Sequence, residues 1–144
     1  MEILRALPGV LDEVAPGLWV GPQSARALQH LFVLVVDCRG SEAVAGDRVF
    51  VPRSGKKGNL WEPADFDEMV EVVTSALGHG PVLIHCRVGR SRSVTAAAAV
   101  LLATGRASDP DEAYAMVQLR KGGVGELTRR CLLRWWKERV LMEV

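Results

Sequence analysis

Val82-Leu83-Ile84-His85-Cys86-Arg87-Val88-Gly89-Arg90-Ser91-Arg92-Ser93-Val94 joins an apolar run to the start of a small-residue helix through a short basic segment. The run PVLIHC (81–86) is short, apolar and suited to a strand buried on both faces. A turn containing Gly89 follows it. Arg92 and Ser93 then open a small-residue helix over 93–104, with AAAAVLLA at its centre, apolar on most sides. A buried strand that runs through a tight loop into a buried helix is the repeating unit of sheets covered by helices.

The flanking sequence extends this pattern. Upstream, FVLVVDC (32–38) is a second continuous β-branched run, read as a core strand. GLWVG (17–21) predicts a short strand closed by Gly-Pro, and Pro22 opens a short helix through Leu28. Residues 39–47 read as a loop or short helical excursion. RVFV (48–51) reads as a short strand ended by Pro52, and RSGKKGN (53–59) as a basic loop. A helix is expected from Pro63 to Leu77. Proline suits its first position, Asp65, Asp67 and Glu68 suit its positive end, and Phe66, Met69, Val70, Val73 and Leu77 form one apolar face. Downstream, Asp109-Pro110-Asp111-Glu112 is a helix start with Asp109 as N-cap. That helix is expected to run to Arg120 before Gly122-Gly123, and a last amphipathic helix covers 126–141. The expectation is an α/β fold: a compact single domain, residues 1–144, with a central, mostly parallel sheet of four or five strands flanked by helices.

Composition excludes several classes. The 144 residues are 49% hydrophobic and 24% charged, with a formal net charge of +1. That balance fits a globular domain rather than a disordered chain or a globally basic nucleic-acid binder. No apolar run reaches the ~18 residues of a membrane span. The start, MEILRALPGV, lacks a basic region followed by a long apolar run, so no signal peptide is expected. Cys38, Cys86 and Cys131 are too few and too scattered for a disulfide framework. A cytoplasmic protein is expected.

The strand–loop–helix also predicts chemistry. It gathers several backbone N–H groups and a helix N-terminus around one point, which makes an anion site. A cysteine at the base of such a site is acidified by the same groups and by Arg92; such surroundings bring thiols to pKa values of roughly 3.5–7.5. The outcome is a thiolate nucleophile facing a bound oxyanion, with Arg92 able to hold two of its oxygens. The competing reading of Cys86 is a small buried filler at a strand end, the commonest fate of a free cysteine. Gly89, Arg92 and Ser93 in register weigh against it.

His85-Cys86, five residues, then Arg92-Ser93 resemble the H-C-x5-R-[ST] signature of the protein tyrosine phosphatase superfamily. Gly89 matches as well, and the Ser91-Arg92-Ser93 ending is most similar to the dual-specificity branch. LWVGPQSARAL (18–28), VLVVDC (33–38) and VFVP (49–52) resemble core segments of dual-specificity phosphatases, so the likeness covers most of the chain. The resemblance implies that Cys86 attacks phosphorus and becomes phosphocysteine. Arg92 would bind the phosphoryl group, Ser93 would assist the sulfur as it leaves, and His85 would organise the loop. Backbone N–H groups from Arg87, Val88, Gly89, Arg90, Ser91 and Arg92 would hold phosphate oxygens. No metal and no other cofactor is implied. The partner would be a phosphorylated protein or another phosphorylated, polyanionic substrate.

The chain departs from the family pattern in its acid. The family supplies an aspartate from a loop upstream of the cysteine, and the corresponding segment, 53–59, has no carboxylate. Glu62 and Asp65 are the nearest downstream candidates for a general acid. Both also suit the first turn of a helix, where acids complement the dipole. General acid catalysis contributes roughly 10²–10⁴-fold and matters least when the leaving group is already a weak base. Beside a phosphotyrosine or dual-specificity activity, the alternatives are therefore a phosphoinositide or phosphoanhydride (RNA triphosphatase-like) phosphatase, and a phosphate-binding pseudophosphatase module. Arg87, Arg90, Arg53, Lys56 and Lys57 fit either a polyanion pocket or a solvated basic surface. Cys38 is either core filler or, as in several members of the superfamily, a redox partner that traps the oxidised nucleophile as a disulfide. Cys131, near Leu132, Leu133, Trp135 and Trp136, reads as packing.

Overall fold

The structure, a computed structural model, describes residues 11–52, 61–87, 92–118 and 126–143. Five strands form one sheet: β1 (Asp12–Ala15), β2 (Leu18–Gly21), β3 (Leu34–Asp37), β4 (Val49–Phe50) and β5 (Val82–His85). Their spatial order is β1-β2-β5-β3-β4. The β1–β2 pair is antiparallel, and β2–β5, β5–β3 and β3–β4 are parallel. The α-helices among the described residues are α1 (Pro63–Leu77), α2 (Arg92–Ala103), α3 (Pro110–Gln118) and α4 (Glu126–Glu143).

Side-chain alternation on the three central strands explains why helices cover one face and a thinner layer covers the other. Val20, Ile84 and Val36 stand in one cross-strand row, and all three belong to the larger core beneath the helices. Trp19, Leu83 and Val35 form the neighbouring row on the opposite face. There they pack with Leu11, Ala25 and Phe32. Each fully buried aliphatic side chain in such rows contributes about 1.5–3 kcal/mol of transfer free energy. The second face is closed by a 3₁₀ segment, Gln23–Leu31, of which only Ala25 is buried. The expected short helix after Pro22 is thus present, longer than anticipated and wound more tightly.

Helix α2 is central because its side chains are small. Every residue from Ser93 to Leu102 is buried, and α2 packs against α1, α3, α4 and the sheet. Helix α1 begins with a reciprocal cap between Glu62 and Asp65, has Pro63 in its first turn, and buries Phe66, Met69, Val70 and Val73. Helix α3 starts where Asp109 Oδ1 accepts the Glu112 amide at 2.9 Å. Its expected continuation to Arg120 lies outside the described residues. Helix α4 is tied to α1 by Trp135, which stacks on Phe66 at 5.3 Å and donates its indole N–H to Asp67 Oδ1 at 2.8 Å.

One strand is absent from the sequence-based expectation. β1 is an edge strand with two acids in its four residues. It is held through a hairpin whose turn includes Gly17 at φ +80°, a conformation that glycine adopts without steric cost. Among the described residues no helix is long and apolar enough to cross a membrane.

Candidate active site

The parallel strands β2, β5 and β3 end side by side, and the candidate site lies at their C-terminal edge. This is where helix-covered parallel sheets present ligand-binding loops. Cys86 is the first residue beyond β5 and is buried. Its Sγ lies 3.2 Å from Ser93 Oγ in the first turn of α2. The sulfur therefore sits at the positive end of a 12-residue helix, whose leading N–H groups have no partners within the helix. Arg92 is the first residue of that helix and is half-buried. Arg87 is exposed, and its carbonyl accepts the Gln23 amide at 3.1 Å, which links the start of the loop to the 3₁₀ segment. The site residues expected at Val88, Gly89, Arg90 and Ser91 lie outside the described residues, as do Arg53, Lys56 and Lys57.

His85 is fully buried, with Nδ1 3.4 Å from the Cys86 carbonyl oxygen and Nε2 3.9 Å from Asp37 Oδ2. Burial lowers the His85 pKa, outweighing the nearby Asp37 carboxylate and the Cys86 carbonyl, which favour the cation. At neutral pH the imidazole is uncharged.

Asp37 is also fully buried at the end of β3. Burial pushes its carboxyl group upward, but hydrogen bonds from the Arg39 side chain and the Val44 amide more than offset this, and the pKa falls to about 2. Oδ2 accepts from Arg26 Nη1 at 2.9 Å, Arg39 Nη2 at 2.7 Å and the Val44 amide at 3.0 Å. Oδ1 accepts from Arg39 Nε at 2.9 Å and the Arg39 amide at 3.1 Å. Sequence reasoning missed this cluster. Its signal was a lone aspartate ending an apolar strand, a position that requires paired donors if the charge is to stay buried.

Cys38 follows Asp37, and its amide donates to the His85 carbonyl at 2.8 Å. Burial raises its thiol well above the usual range, and the neighbouring Cys86 and Asp37 act in the same direction while Arg92 opposes them. Cys131 is half-buried on α4, beside the larger core.

Glu62 and Asp65 are engaged at the start of α1. The Glu62 amide donates to Asp65 Oδ2 at 2.9 Å, the Glu62 side chain accepts from the Asp65 amide, and Arg134 Nη1 pairs with Glu62 Oε2 at 3.1 Å. Both carboxylates thus hold a helix end. Among the described residues no group of three or more His, Cys, Asp or Glu side chains could hold a metal ion.

No protein-family model and no curated protein matches the chain. Solved structures do. Human DUSP28 superposes with a TM-score of 0.74 at 20% identity, covering 94% of this chain and 97% of that one. PTPMT1 in complex with PI(5)P gives 0.74 at 15% identity, covering 93% and 99%. A human tyrosine phosphatase-like serine/threonine/tyrosine-interacting protein gives 0.72 at 22%, covering 91% and 97%. The fold is that of the dual-specificity phosphatases.

Proposed function

We propose that the chain hydrolyses phosphate monoesters through a phosphocysteine at Cys86. The observation that carries this reading is the 3.2 Å contact between Cys86 Sγ and Ser93 Oγ at the N-terminus of α2. A thiolate there attacks phosphorus, and the P–O bond to the leaving group breaks. Arg92 offers its planar fork to two phosphoryl oxygens, a geometry a lysine cannot reproduce. In the second step water attacks phosphorus and the sulfur departs. Ser93 Oγ–H, already beside Sγ, stabilises the negative charge that returns to it. The remaining oxygens fall to backbone N–H groups at the start of α2 and, as the family resemblance implies, to those of residues 87–91, of which 88–91 lie outside the described residues. A dual-specificity phosphatase fold, an intact Cys86 and Arg92, and the likeness to PTPMT1 in complex with PI(5)P support a phosphorylated protein or lipid as substrate.

The test is turnover of an aryl phosphate. Cys86→Ser should abolish it while leaving vanadate or phosphate binding intact, because the hydroxyl is a far weaker nucleophile and the N–H cradle is unchanged. Arg92→Lys should also be severe. Appreciable turnover by Cys86→Ser overturns the mechanism. Intact oxyanion binding with no turnover by the wild type identifies a pseudophosphatase module instead.

A second reading concerns the leaving group. Glu62 and Asp65 are committed to the α1 cap and to Arg134. Asp37 is ionised and fully surrounded by donors. These engagements favour substrates whose leaving oxygen departs without a proton, such as phosphoanhydrides. A steep rise in rate as leaving-group pKa falls across a series of aryl phosphates is the expected result. A shallow dependence requires a working general acid.

A further inference from the structure

Five donors converge on the two oxygens of Asp37, three on Oδ2 and two on Oδ1. A carboxylate has about four lone-pair sites, so none remains for His85. Asp37 nevertheless lies 3.9 Å from His85 Nε2, and that nitrogen has no hydrogen-bond partner among the described residues. On its other side, Nδ1 faces the Cys86 carbonyl, which can only accept, so in that contact Nδ1 carries the proton. Nε2 then presents a lone pair toward a buried carboxylate, an arrangement that is tolerable only because two guanidiniums draw off the carboxylate charge. Both guanidiniums are themselves mostly buried, at 16% and 14% exposure for the Arg26 and Arg39 side chains. Two cations against one buried anion leave one net positive charge beside His85, with the exposed Glu42 carboxylate acting on Arg39 from outside.

We infer that Asp37, Arg26 and Arg39 form a positioning set for Cys86. They hold His85 in the form that donates to the Cys86 carbonyl, and their net charge fixes how readily an anion forms at Sγ. Among the described residues, the other charged or titratable groups near His85 and Cys86 include Cys38 after β3 and Arg92 on α2, with Arg87 following Cys86 in sequence. The set also ties three segments together. Arg26 comes from the 3₁₀ segment and also donates to the Val44 carbonyl at 2.7 Å; Asp37 ends β3; His85 ends β5. Packing alone would not require the charges, since buried ion pairs can be replaced by apolar groups at little cost. The inference rests on Cys86 being the reactive thiol of the proposed function, and it specifies how that thiol is controlled.

The experiment is the pH dependence of Cys86 alkylation by iodoacetamide, followed by peptide mapping, in the full-length chain. Alkylation needs no turnover, and aryl phosphate hydrolysis is measured in parallel. Asp37→Asn keeps the shape and removes the negative charge, so the profile should move to lower pH. Arg26→Gln removes a positive charge and should move it to higher pH. Together the two substitutions restore the net charge and should return the profile toward wild type. Arg26→Lys keeps the charge and should stay at the wild-type position. The Arg26→Gln and Arg26→Lys comparison decides the matter even if Asp37→Asn does not fold. Shifts of the same sign in both single variants, no return in the double variant, or equal profiles for Arg26→Gln and Arg26→Lys overturn the inference. Absence of hydrolysis by the wild type overturns the phosphatase reading and leaves these profiles standing.

Discussion

The Cys38 amide donates to the His85 carbonyl at 2.8 Å, which carries the β3–β5 ladder one residue beyond the Asp37–His85 pair. Cys38 therefore faces the same side of the sheet as Ile84 and Cys86, and both thiols belong to the same core. Neighbouring strands run ~4.8 Å apart. That spacing falls within the roughly 4.4–6.8 Å between Cα atoms that a disulfide accepts.

Mild peroxide should therefore inactivate the protein reversibly. Peroxide converts the Cys86 thiolate to sulfenic acid, and the Cys38 thiol condenses with it, releasing water and forming the disulfide. Oxidation removes the negative charge on Cys86 that helps hold the Cys38 thiol protonated, so the partner becomes more reactive when it is needed. Intact mass and peptide mapping should show a Cys38–Cys86 link that a thiol reductant reverses. Equal recovery of activity by Cys38→Ala would remove the protective role.

Asp37 should also make stability depend on acid pH. Its folded pKa of about 2 lies below the ordinary 3.8, despite the upward push of burial. The difference corresponds to about 2 kcal/mol of stability. Because the folded value is depressed, this contribution is complete above the unfolded pKa. It is lost as pH falls from about 4 to about 2. Asp37→Asn should be less stable than wild type at pH 7, and the gap in urea midpoint should narrow below about pH 4 and close near pH 2. A gap that persists unchanged at low pH would assign the loss to something other than the charge.

Glu62→Ala and Asp65→Ala separate a cap from an acid. Each should cost about 1 kcal/mol of stability, the usual effect of losing a helix cap. Each should change kcat/KM by less than about tenfold, below the contribution of a general acid. A loss of 10²-fold or more, roughly what an acid supplies, that disappears with an acidic leaving group would place the acid at that residue.

The α1–α4 contact should dominate the stability of the C-terminal helix. Trp135 is buried, stacks on Phe66, and spends its indole N–H on Asp67. Trp135→Ala should cost about 3–5 kcal/mol. Asp67→Ala, which orphans the indole donor at a partly exposed site, should cost about 1 kcal/mol. Urea denaturation checks both, and equal costs would mean that the stacking contributes little.

What could be read from the sequence was local. PVLIHC, the small-residue helix after it, Pro63 opening α1 and Asp109 capping α3 each carry their signal within a few residues, and the structure places strands and helices there. β1 could not be read, because Asp12 and Glu13 are poor strand formers and the strand exists only through its pairing with β2. Of FVLVVDC, Leu34–Asp37 form the strand and the Val33 and Cys38 amides extend its hydrogen bonding to the Pro81 and His85 carbonyls, whereas Phe32 closes the preceding 3₁₀ segment. The Asp37 cluster was hidden for a similar reason. Arg26 is 11 residues away and His85 lies on another strand, so only the fold brings them together. The 3.2 Å contact between Cys86 and Ser93 was implied by family resemblance, whereas the engagement of Glu62 by Arg134 had no sequence signal at all.

Rapid acid quench during turnover of an aryl phosphate traps a phosphorylated Cys86 if the reaction runs through one. Peptide mapping of the quenched wild type should find phosphate on Cys86. Ser93→Ala should accumulate more of it, because the sulfur then leaves without its hydroxyl partner, and Cys86→Ser should show none. Turnover with phosphate on another residue, or with no phosphoenzyme in either the wild type or Ser93→Ala, would rule out a phosphocysteine at Cys86.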